Sequence, residues 1–468
     1  MTSPPPPRRT AARVVGALAA TATVTLAGAL AATPAGAAPP WTPPAATQGA
    51  PPTGPALGFN AGGVGVLSAD TGGGVGGAVG PHTVGALVDE TGGFPGPMAA
   101  FSATNFALGD RFALYGLGRI AALGTHFSSA DDRAGIVFGD AGEKLTNVHF
   151  VGPTDRSGTA EALAANSRGD VVASFGVCAN SACQHQSLYL VVRRAGGSPQ
   201  PSLRVDNVAV RNISTVAIND RGDMIVAWQA NGGVYARILT AGGTLYATEK
   251  LGNPGEPVRA ISAVLTPNRG AAVGWEAQAV GEGTPESAAT VDATTKAAGA
   301  SHHFHSSQRL GRVPALETGR YVSERAVKLV RSADGRIAAA WTTYVNGRFV
   351  VQASALSGSR FRPGQTVSDP TVDSILADLD AGPSSELAVA WRTGVAGTDP
   401  GVGTPGLNAA LRSPGGAAFG AAEVIEQGAA ANEAVLRFDP SSGRAVAAWN
   451  DLQTIRASVR PPVVQPSG

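Results

Sequence analysis

The stretch INDRGDMIVAW, residues 218–228, is the clearest sign of how this chain folds, because the chain repeats it. A turn carrying Asn and Gly leads into a short apolar run that ends in a large aromatic residue. The six copies end at Phe175, Trp228, Trp275, Trp341, Trp391 and Trp449. Five of the six tryptophans therefore occupy one position of a unit that recurs every 47 to 66 residues. Such a period indicates stacked copies of one supersecondary unit.

Each unit is expected to contain four strands. Alternate residues of MIVAW (224–228) point to opposite faces, and both faces are apolar, as in a strand buried on both sides. ISTVAI (213–218) leads into the turn, and GVYARILT (233–240) follows the tryptophan. A fourth element recurs with a Phe or Leu residue four positions before Gln or Glu, as in FHSSQRL (304–310). Four antiparallel strands per repeat predict an all-β propeller.

The number of repeats predicts seven blades, counted from a weaker copy that ends at Gly124, with six and eight as alternatives. The last repeat runs to residue 460 and lacks a fourth strand. An N-terminal strand is expected to supply it, because closure of the ring removes exposed strand edges. The Gly-rich stretch from Ala56 to Gly93 is the expected donor. Eight blades would follow if residues 56–99 formed a blade of their own.

The N-terminus has the layout of a secretory signal peptide. Three arginines precede an apolar stretch, Val14–Ala32, and Ala35-Gly36-Ala37 offers a small-residue cleavage site. An uncleaved membrane anchor is the alternative, and Arg8-Arg9 leaves twin-arginine export open beside general secretion. We therefore expect a secreted, extracellular protein without a membrane span after cleavage.

The remaining chain is expected to form one monomeric propeller. The predicted segments are a signal peptide (1–37), a Pro-rich linker (38–56), the propeller (57–461) and a disordered tail (462–468). Loss of three arginines from 35 basic residues would leave 32 against 34 acidic residues. A near-neutral surface of mixed sign gives no reason to bind nucleic acid. The expected partner is an unknown extracellular ligand, either a glycan or a protein.

No metal or cofactor site is expected. Cys178 and Cys183 are predicted to form a disulfide, with a redox pair or a metal site as alternatives. Two cysteines without a second cluster make a poor zinc site. His302, His303 and His305 lie on the expected outer strand, away from the channel and without an evident third ligand.

The repeats resemble those of secreted bacterial β-propeller proteins, a class that includes sialidase-like and WD40-like propellers. The resemblance covers about residues 60–460 and implies the fold rather than an activity. SADGRIAAAW (332–341) shares Ser, Asp, Gly and Trp with the Asp-box of sialidases. Asp334 and Gly335 are adjacent, however, and the tryptophan comes six residues after the glycine. This is not a true Asp-box, and sialidase catalysis is not implied.

Two tripeptides match a cell-adhesion signal, Arg168-Gly169-Asp170 and Arg221-Gly222-Asp223. Both fall on the turn of the repeat. The corresponding turn at Arg269-Gly270-Ala271 keeps the glycine and lacks the aspartate. We therefore interpret the tripeptides as tight turns.

The polar residues directly after the tryptophans are the candidate ligand-binding residues. If the tryptophan strand is second in its blade, they would form a ring at the mouth of the central channel. Two long loops, 276–288 and 392–406, would lie on the same side. The alternative is that these residues only cap strand ends and face water. The set is Gln229, Glu276, Thr342, Arg392 and Asn450.

These observations favour a secreted, non-enzymatic propeller that binds a glycan, a peptide or a cell-wall component at the channel mouth. No residue is assigned a catalytic role, because the chain has no nucleophile elbow, phosphate loop or HExxH helix. A glycoside hydrolase or polysaccharide lyase is the first alternative, since carboxylates from different blades could meet in the channel. A structural or protein-interaction module is the second.

Overall fold

Runs of small and β-branched residues, each followed by a turn, form strands along the chain. The structure is a computed structural model. It describes residues 41–47, 55–70, 83–89, 91, 93–94, 99–100, 102, 106–108, 111–126, 132–153, 156–179, 186–206, 210–252, 258–277, 288–299, 303–314, 327–394, 403–429, 431–451 and 454–462. Within these residues, no helix is long and apolar enough to cross a membrane.

The strands in the first half of the chain form a closing strand and four blades. The closing strand is β1 (Ala45–Ala46). Blade 1 holds β2 (Ala56–Phe59), β3 (Gly65–Asp70), β4 (Thr83–Val88) and β5 (Ala99–Ala100). Blade 2 holds β6 (Phe106–Ala107), β7 (Phe112–Tyr115), β8 (Arg119–His126), β9 (Arg133–Asp140) and β10 (His149–Phe150). Blade 3 holds β11 (Gly158–Ala165), β12 (Val171–Cys178), β13 (Gln186–Arg193) and β14 (Leu203–Arg204). Blade 4 holds β15 (Val210–Ile218), β16 (Met224–Ala230), β17 (Gly233–Leu239) and β18 (Glu249–Gly252).

The second half forms four more blades. Blade 5 holds β19 (Val258–Leu265), β20 (Ala271–Ala277), β21 (Ala288–Lys296) and β22 (Gln308–Pro314). Blade 6 holds β23 (Val327–Arg331), β24 (Ile337–Val345), β25 (Arg348–Ser357), β26 (Arg360–Phe361) and β27 (Gln365–Thr366). Blade 7 holds β28 (Ser374–Ala381), β29 (Leu387–Thr393), β30 (Gly406–Arg412) and β31 (Glu423–Gln427). Blade 8 holds β32 (Asn432–Phe438), β33 (Ala445–Asn450) and β34 (Ile455–Arg460).

The blades are arranged in a closed ring. Neighbouring strands within each blade are antiparallel, and the tryptophan strand is the second in its blade. The inner strand of each blade contacts that of the next, and β32 contacts β2 to complete the circle. These inner strands, in order around the channel, are β2, β7, β11, β15, β19, β23, β28 and β32. The fold is therefore an all-β propeller of four-stranded antiparallel blades.

The prediction of seven blades is wrong, because the described part of the chain contains eight. The Gly-rich stretch after Ala56, expected to donate only a closing strand, pairs with itself into the whole of blade 1. Its repeat was hard to recognise because it has no tryptophan, although it keeps the turn from Asn60 to Gly63, in which the Asn60 side chain accepts from Gly62 and Val64 N–H. The many glycines of this stretch hide the repeat in the sequence, but its backbone still pairs as strands.

The ring is closed by an N-terminal strand taken from residues interpreted as linker. In β1, Ala45 and Ala46 pair antiparallel with Ala457 and Arg456 of β34. Backbone hydrogen bonds extend the pairing from Thr42 N–H to the Val459 carbonyl and from Thr47 N–H to the Ile455 carbonyl, both 2.8 Å. The edge of blade 8 is thereby covered by the beginning of the chain.

The aromatic residues that end the second strands fill the spaces between blades. Trp228, Trp341 and Trp391 are at most 1 % exposed and face equivalent inner-strand positions. A buried indole removes roughly 150–250 Å² from water, which contributes about 4–6 kcal/mol at about 25 cal/mol per Å². The outer segments also press on these rings. A Cβ on Gly364 would lie 2.6 Å from Trp341, so a glycine is needed at that contact.

The turns that follow the inner strands enclose their own aspartates. In one of them, the Asn219 side chain accepts hydrogen bonds from the N–H groups of Arg221 and Asp223 at 3.0 and 2.9 Å. Gly222 adopts a φ of 84°, in the region that favours glycine. The Asp223 residue is only 1 % exposed, and its carboxylate accepts from Ala241 N–H. The structure thus places this adhesion-like tripeptide in a turn whose aspartate faces inward.

The outer strands are joined by a recurring clasp from one blade to the next. Gln365 of blade 6 donates to the Phe419 carbonyl at 3.0 Å and accepts from Phe419 N–H at 2.8 Å. Gln308 makes the same pair of bonds to Phe361. These bonds explain the recurring Gln or Glu in the fourth element of the repeat. The corresponding glutamate of blade 7, Glu423, instead accepts from the Trp41 indole of the closing segment at 3.1 Å.

Candidate functional site: the central channel

One end of the channel is marked by irregularities in the inner strands. Bulges interrupt β11, β15, β19, β28 and β32, each near the start of the strand. In an antiparallel blade, this end also carries the loops that follow the tryptophans. A bulge leaves one residue unpaired and changes the direction of its side chain. Glu161 and Arg259 are the extra residues of β11 and β19.

Glu161 is a carboxyl group that titrates near neutral pH. Burial raises its pKa to about 7, although the Arg111 charge and hydrogen bonds from Thr159 and from the Ser214 backbone favour ionisation. The Thr159 hydroxyl lies 3.3 Å from Oε1, and Arg111 Nε donates to the Glu161 carbonyl at 3.0 Å. Groups from blades 2, 3 and 4 therefore hold this side chain. At pH 7 it can both accept and release a proton.

Glu276 is a second such group at the same end, two blades further on. The residue is 2 % exposed, and its Oε2 has no hydrogen-bond partner. Burial raises its pKa to about 7, and the nearby Arg259 charge only partly offsets this. Glu276 faces Ala260 across the strand pair, next to the bulged Arg259. The carboxyl group is thus largely protonated below neutral pH.

The five residues predicted to form a polar ring all lie within the second strands. Gln229, Glu276, Thr342 and Asn450 are buried, and Arg392 is half-buried. Because the inner strands surround the channel, this set lies one strand back from it. Thr342 shows one use of the position, since its hydroxyl accepts from Leu376 N–H of the next inner strand at 3.0 Å. Contact of these five residues with a ligand stays a prediction.

The opposite wall carries a second charged group, the channel charge cluster, made of Lys328, Asp378, Asp380 and Arg437. Asp378 lies between two cations, with Arg437 Nη1 at 2.5 Å and Lys328 Nζ at 3.6 Å. It also accepts from Leu436 N–H of blade 8 at 3.1 Å. Asp378 therefore ties the inner strands of blades 6, 7 and 8 together.

Asp380 is the remaining member of the channel charge cluster. Its carboxylate accepts a hydrogen bond from Phe438 N–H at 2.7 Å. This bond occupies part of the open edge of β32. Burial raises the pKa of Asp380 to about 6, against the effect of the Arg437 charge. Asp380 can therefore change charge slightly below neutral pH. Since blades 3 and 7 are opposite in a ring of eight, titratable carboxyls occupy opposite walls.

A cavity of about 360 Å³ opens beside this cluster. Its walls come from five blades and include Gly58, Phe112, Leu114, Lys328 and Arg437. The volume is within the range of small-molecule sites. Half-buried Phe112 and Leu114 offer apolar surface opposite charged groups. The cavity can hold a compact polar molecule with one apolar face.

The histidines and cysteines have other surroundings. His303 contacts the Glu249 carboxylate, and Phe304 N–H donates to the same side chain at 2.8 Å, so this segment forms an outer clasp. His302 lies outside the described residues. Cys178 is buried at the end of β12, but Cys183 lies outside the described residues, and the disulfide stays a prediction. Among described residues, no three His, Cys, Asp or Glu side chains are placed to hold a metal.

The channel residues Glu161, Arg259, Asp378 and Asp380 were not identified from the sequence. Bulges have no fixed sequence signature, and β11 and β19 otherwise resemble their neighbours. For the two aspartates a signal existed. In LADLD (376–380), charged residues alternate with leucines in an inner strand, and Lys328 and Arg437 likewise stand beside aliphatic residues in the inner strands of blades 6 and 8. Alternating charge in an otherwise apolar strand could have indicated the channel wall.

Comparison with known proteins identifies no family for this chain. No protein-family model matches the chain, and no curated protein matches it by sequence. Several solved structures are similar in shape. A protein of unknown function from Dyadobacter fermentans has 13% identity and a TM-score of 0.40, covering 68% of this chain and 99% of its own. An ulvan lyase, a polysaccharide lyase, has 10% identity and a TM-score of 0.39, covering 74% and 90%. The NanB sialidase from Streptococcus pneumoniae, as the K499G mutant, has 10% identity and a TM-score of 0.36, covering 72% and 64%.

Proposed function

We propose that this chain is a secreted, non-enzymatic binding protein that holds a polar extracellular ligand, first of all a glycan, in its central channel. The observation that carries the proposal is the cavity of about 360 Å³ between the inner strands of five blades. Rigid walls with fixed polar groups lower the entropic cost of binding. This cavity lies beside the channel charge cluster, whereas the sequence predicted a site at the polar residues that follow the tryptophans.

The chemistry of the cavity favours a ligand of low net charge. Lys328 and Arg437 are balanced by Asp378 and, at pH 7, by Asp380, so the walls offer donors and acceptors without a strong field of one sign. Sugar hydroxyls can use both kinds of group, and the apolar face of a sugar ring can pack on Phe112. A highly anionic ligand would lack enough free cations.

A second candidate is a glycoside hydrolase or polysaccharide lyase. It is favoured by Glu161 and Glu276, whose carboxyl groups have pKa values raised to about 7 at the same end of the channel. Such groups can serve as general acids or bases at neutral pH. Turnover would therefore depend on the bulged end of the channel rather than on the cavity.

The experiment is a glycan and cell-wall array on the chain from residue 38 onward, followed by titration calorimetry of each hit. Leu114→Trp would fill part of the cavity and should reduce binding of a hit by about tenfold or more. Val424→Trp, at an exposed site on outer strand β31, is the matched control and should bind normally. Melting curves would verify that both variants fold.

Hydrolysis and unsaturated-product formation would be followed on the same hits. Binding without product supports the first function, and product formation that is lost in Glu161→Gln supports the second. Undiminished binding by Leu114→Trp would exclude the channel cavity as the site.

A further inference from the structure

A second site lies on the opposite face from the bulged end, between the turns of blades 7 and 8. A cleft of about 400 Å³ opens there, with walls formed largely by apolar side chains. Glu386 contributes a carboxylate to it, although the residue is only 8 % exposed. Its Oε2 has no hydrogen-bond partner, and no described cation forms an ion pair with it. Burying a carboxylate without a partner is costly, so its presence needs an explanation.

The equivalent carboxylate of blade 4 has a partner. Asp223 and Glu386 occupy the same turn position, since their carbonyls accept from Asn219 N–H and Gly382 N–H respectively. Arg269, in the turn of the next blade, donates from Nε to Asp223 at 3.1 Å. The hydrogen bond from Arg269 offsets part of the free-energy cost of burying the Asp223 carboxylate. The pKa of Asp223 is below its usual value despite that burial.

Blade 8 has no side chain where that arginine would be. Arg269 and Gly443 each lie six residues before the tryptophan of their blade, so they correspond when the turns are aligned on the second strand, although the turn of blade 8 is one residue longer. Both also have positive φ angles, 62° and 73°. A Cβ on Gly443 would lie 3.5 Å from Glu386 Oε1. The glycine therefore leaves the carboxylate accessible through the cleft.

We propose that this cleft binds an organic cation, a guanidinium or amidinium group with a small apolar body, which takes the place of the missing arginine. The charged end would donate to the Glu386 carboxylate through Oε1, the oxygen nearest Gly443, and the apolar body would pack on the surrounding prolines. Exposed Ser441 and Ser442 hydroxyls at the rim can add polar contacts. The apolar wall includes Pro383, Leu411, Pro414, Phe438, Pro461 and Pro462. Arg460 also lines the cleft, but its guanidinium is paired with the Glu423 carboxylate. This site is independent of the channel and of the proposed glycan ligand.

The test uses benzamidine and benzamide, which have nearly the same shape and differ in charge. Titration calorimetry on the chain from residue 38 onward should detect benzamidine and give at least about tenfold weaker binding of benzamide. Glu386→Gln should weaken benzamidine binding by a similar factor. Glu143→Gln, at an exposed site in blade 2, should bind it normally.

A second variant separates the site from a general effect on folding. Gly443→Arg would place a guanidinium beside Glu386 at a φ that Arg269 already adopts, and it should abolish benzamidine binding while the protein still melts cooperatively. Undiminished benzamidine binding in either Glu386→Gln or Gly443→Arg would overturn the proposal, as would equal binding of the two probes.

The natural source of the cation is distinguished by two further probes. Tighter binding of an acetylated and amidated Gly-Arg-Gly peptide than of agmatine would indicate an arginine side chain of a partner protein. The reverse order would indicate a small guanidinium compound. Failure of both probes, with benzamidine bound, would restrict the site to flat aromatic cations.

Discussion

At the residue scale, buried charge is treated in two ways in this propeller. Asp223 and Asp378 are buried and receive hydrogen bonds and cations, so they act as links between blades. Glu276 is equally buried, but its Oε2 has no hydrogen-bond partner, and among the described residues the favourable charge nearby is that of Arg259. Burial therefore keeps the proton on Glu276 to a much higher pH than in the unfolded chain.

This predicts that stability falls as the pH rises. The pKa of Glu276 in the folded protein, about 7, lies above the ordinary glutamate value of 4.5. Its contribution is therefore fully present below about pH 4.5 and is lost progressively as the pH rises through 7. At about 1.4 kcal/mol per pH unit, up to about 3 kcal/mol is involved. Glu276→Gln should raise the melting temperature at pH 8.5 and change it little at pH 5.

The control for that measurement is Glu143→Gln, which removes an exposed carboxylate. It should shift the melting temperature equally little at both pH values. If Glu276→Gln and the unaltered protein lose stability in parallel between pH 5 and 8.5, then Glu276 is ionised in the fold, and its assignment as a proton-holding group is wrong.

At the scale of single elements, the sequence predicted those strands whose surroundings are the same in every blade. The tryptophan strand is buried on both faces in every copy, so MIVAW and its relatives could be recognised and placed second in the blade. Blade 1 lacks the tryptophan and was underestimated. The bulges that place Glu161 and Arg259 at the channel depend on packing between inner strands far apart in sequence, which no local pattern contains.

The outer clasp offers an element-scale test. Gln365→Ala removes two hydrogen bonds to the backbone of Phe419 and leaves both backbone groups without that partner. The expected loss is about 1–3 kcal/mol in the free energy of unfolding, measured by denaturant titration. Gln200→Ala, at an exposed position in blade 3, should change it by less than about 0.5 kcal/mol. Equal effects of the two variants would show that the clasp does not hold blades 6 and 7 together.

At the scale of the whole molecule, the ring depends on a few residues near the N-terminus. The closing segment gives blade 8 its fourth strand and places the Trp41 indole against Glu423. The predicted signal peptide ends at residue 37, so cleavage there would leave this segment attached. A chain beginning at residue 38 should melt in one cooperative transition. A chain beginning at residue 48 should melt at a clearly lower temperature and tend to associate through the exposed edge of β34.

The two truncated chains form their own control, because they differ only in residues 38–47. Addition of a synthetic peptide of those residues should restore part of the lost melting temperature. Identical melting of both chains would mean that another contact closes the ring.

Pairing of β1 with β34 also has a consequence for biosynthesis. Residues 45–46 leave the ribosome before every blade, and their partners at 456–457 leave after the first seven blades, so the circle cannot be completed until the strands of blade 8 have been made. The segment that contains β1 must therefore stay unpaired while the seven other blades form. If the predicted signal peptide directs export, a late closure of this kind favours a translocation route that threads unfolded polypeptide, with assembly finished on the far side of the membrane.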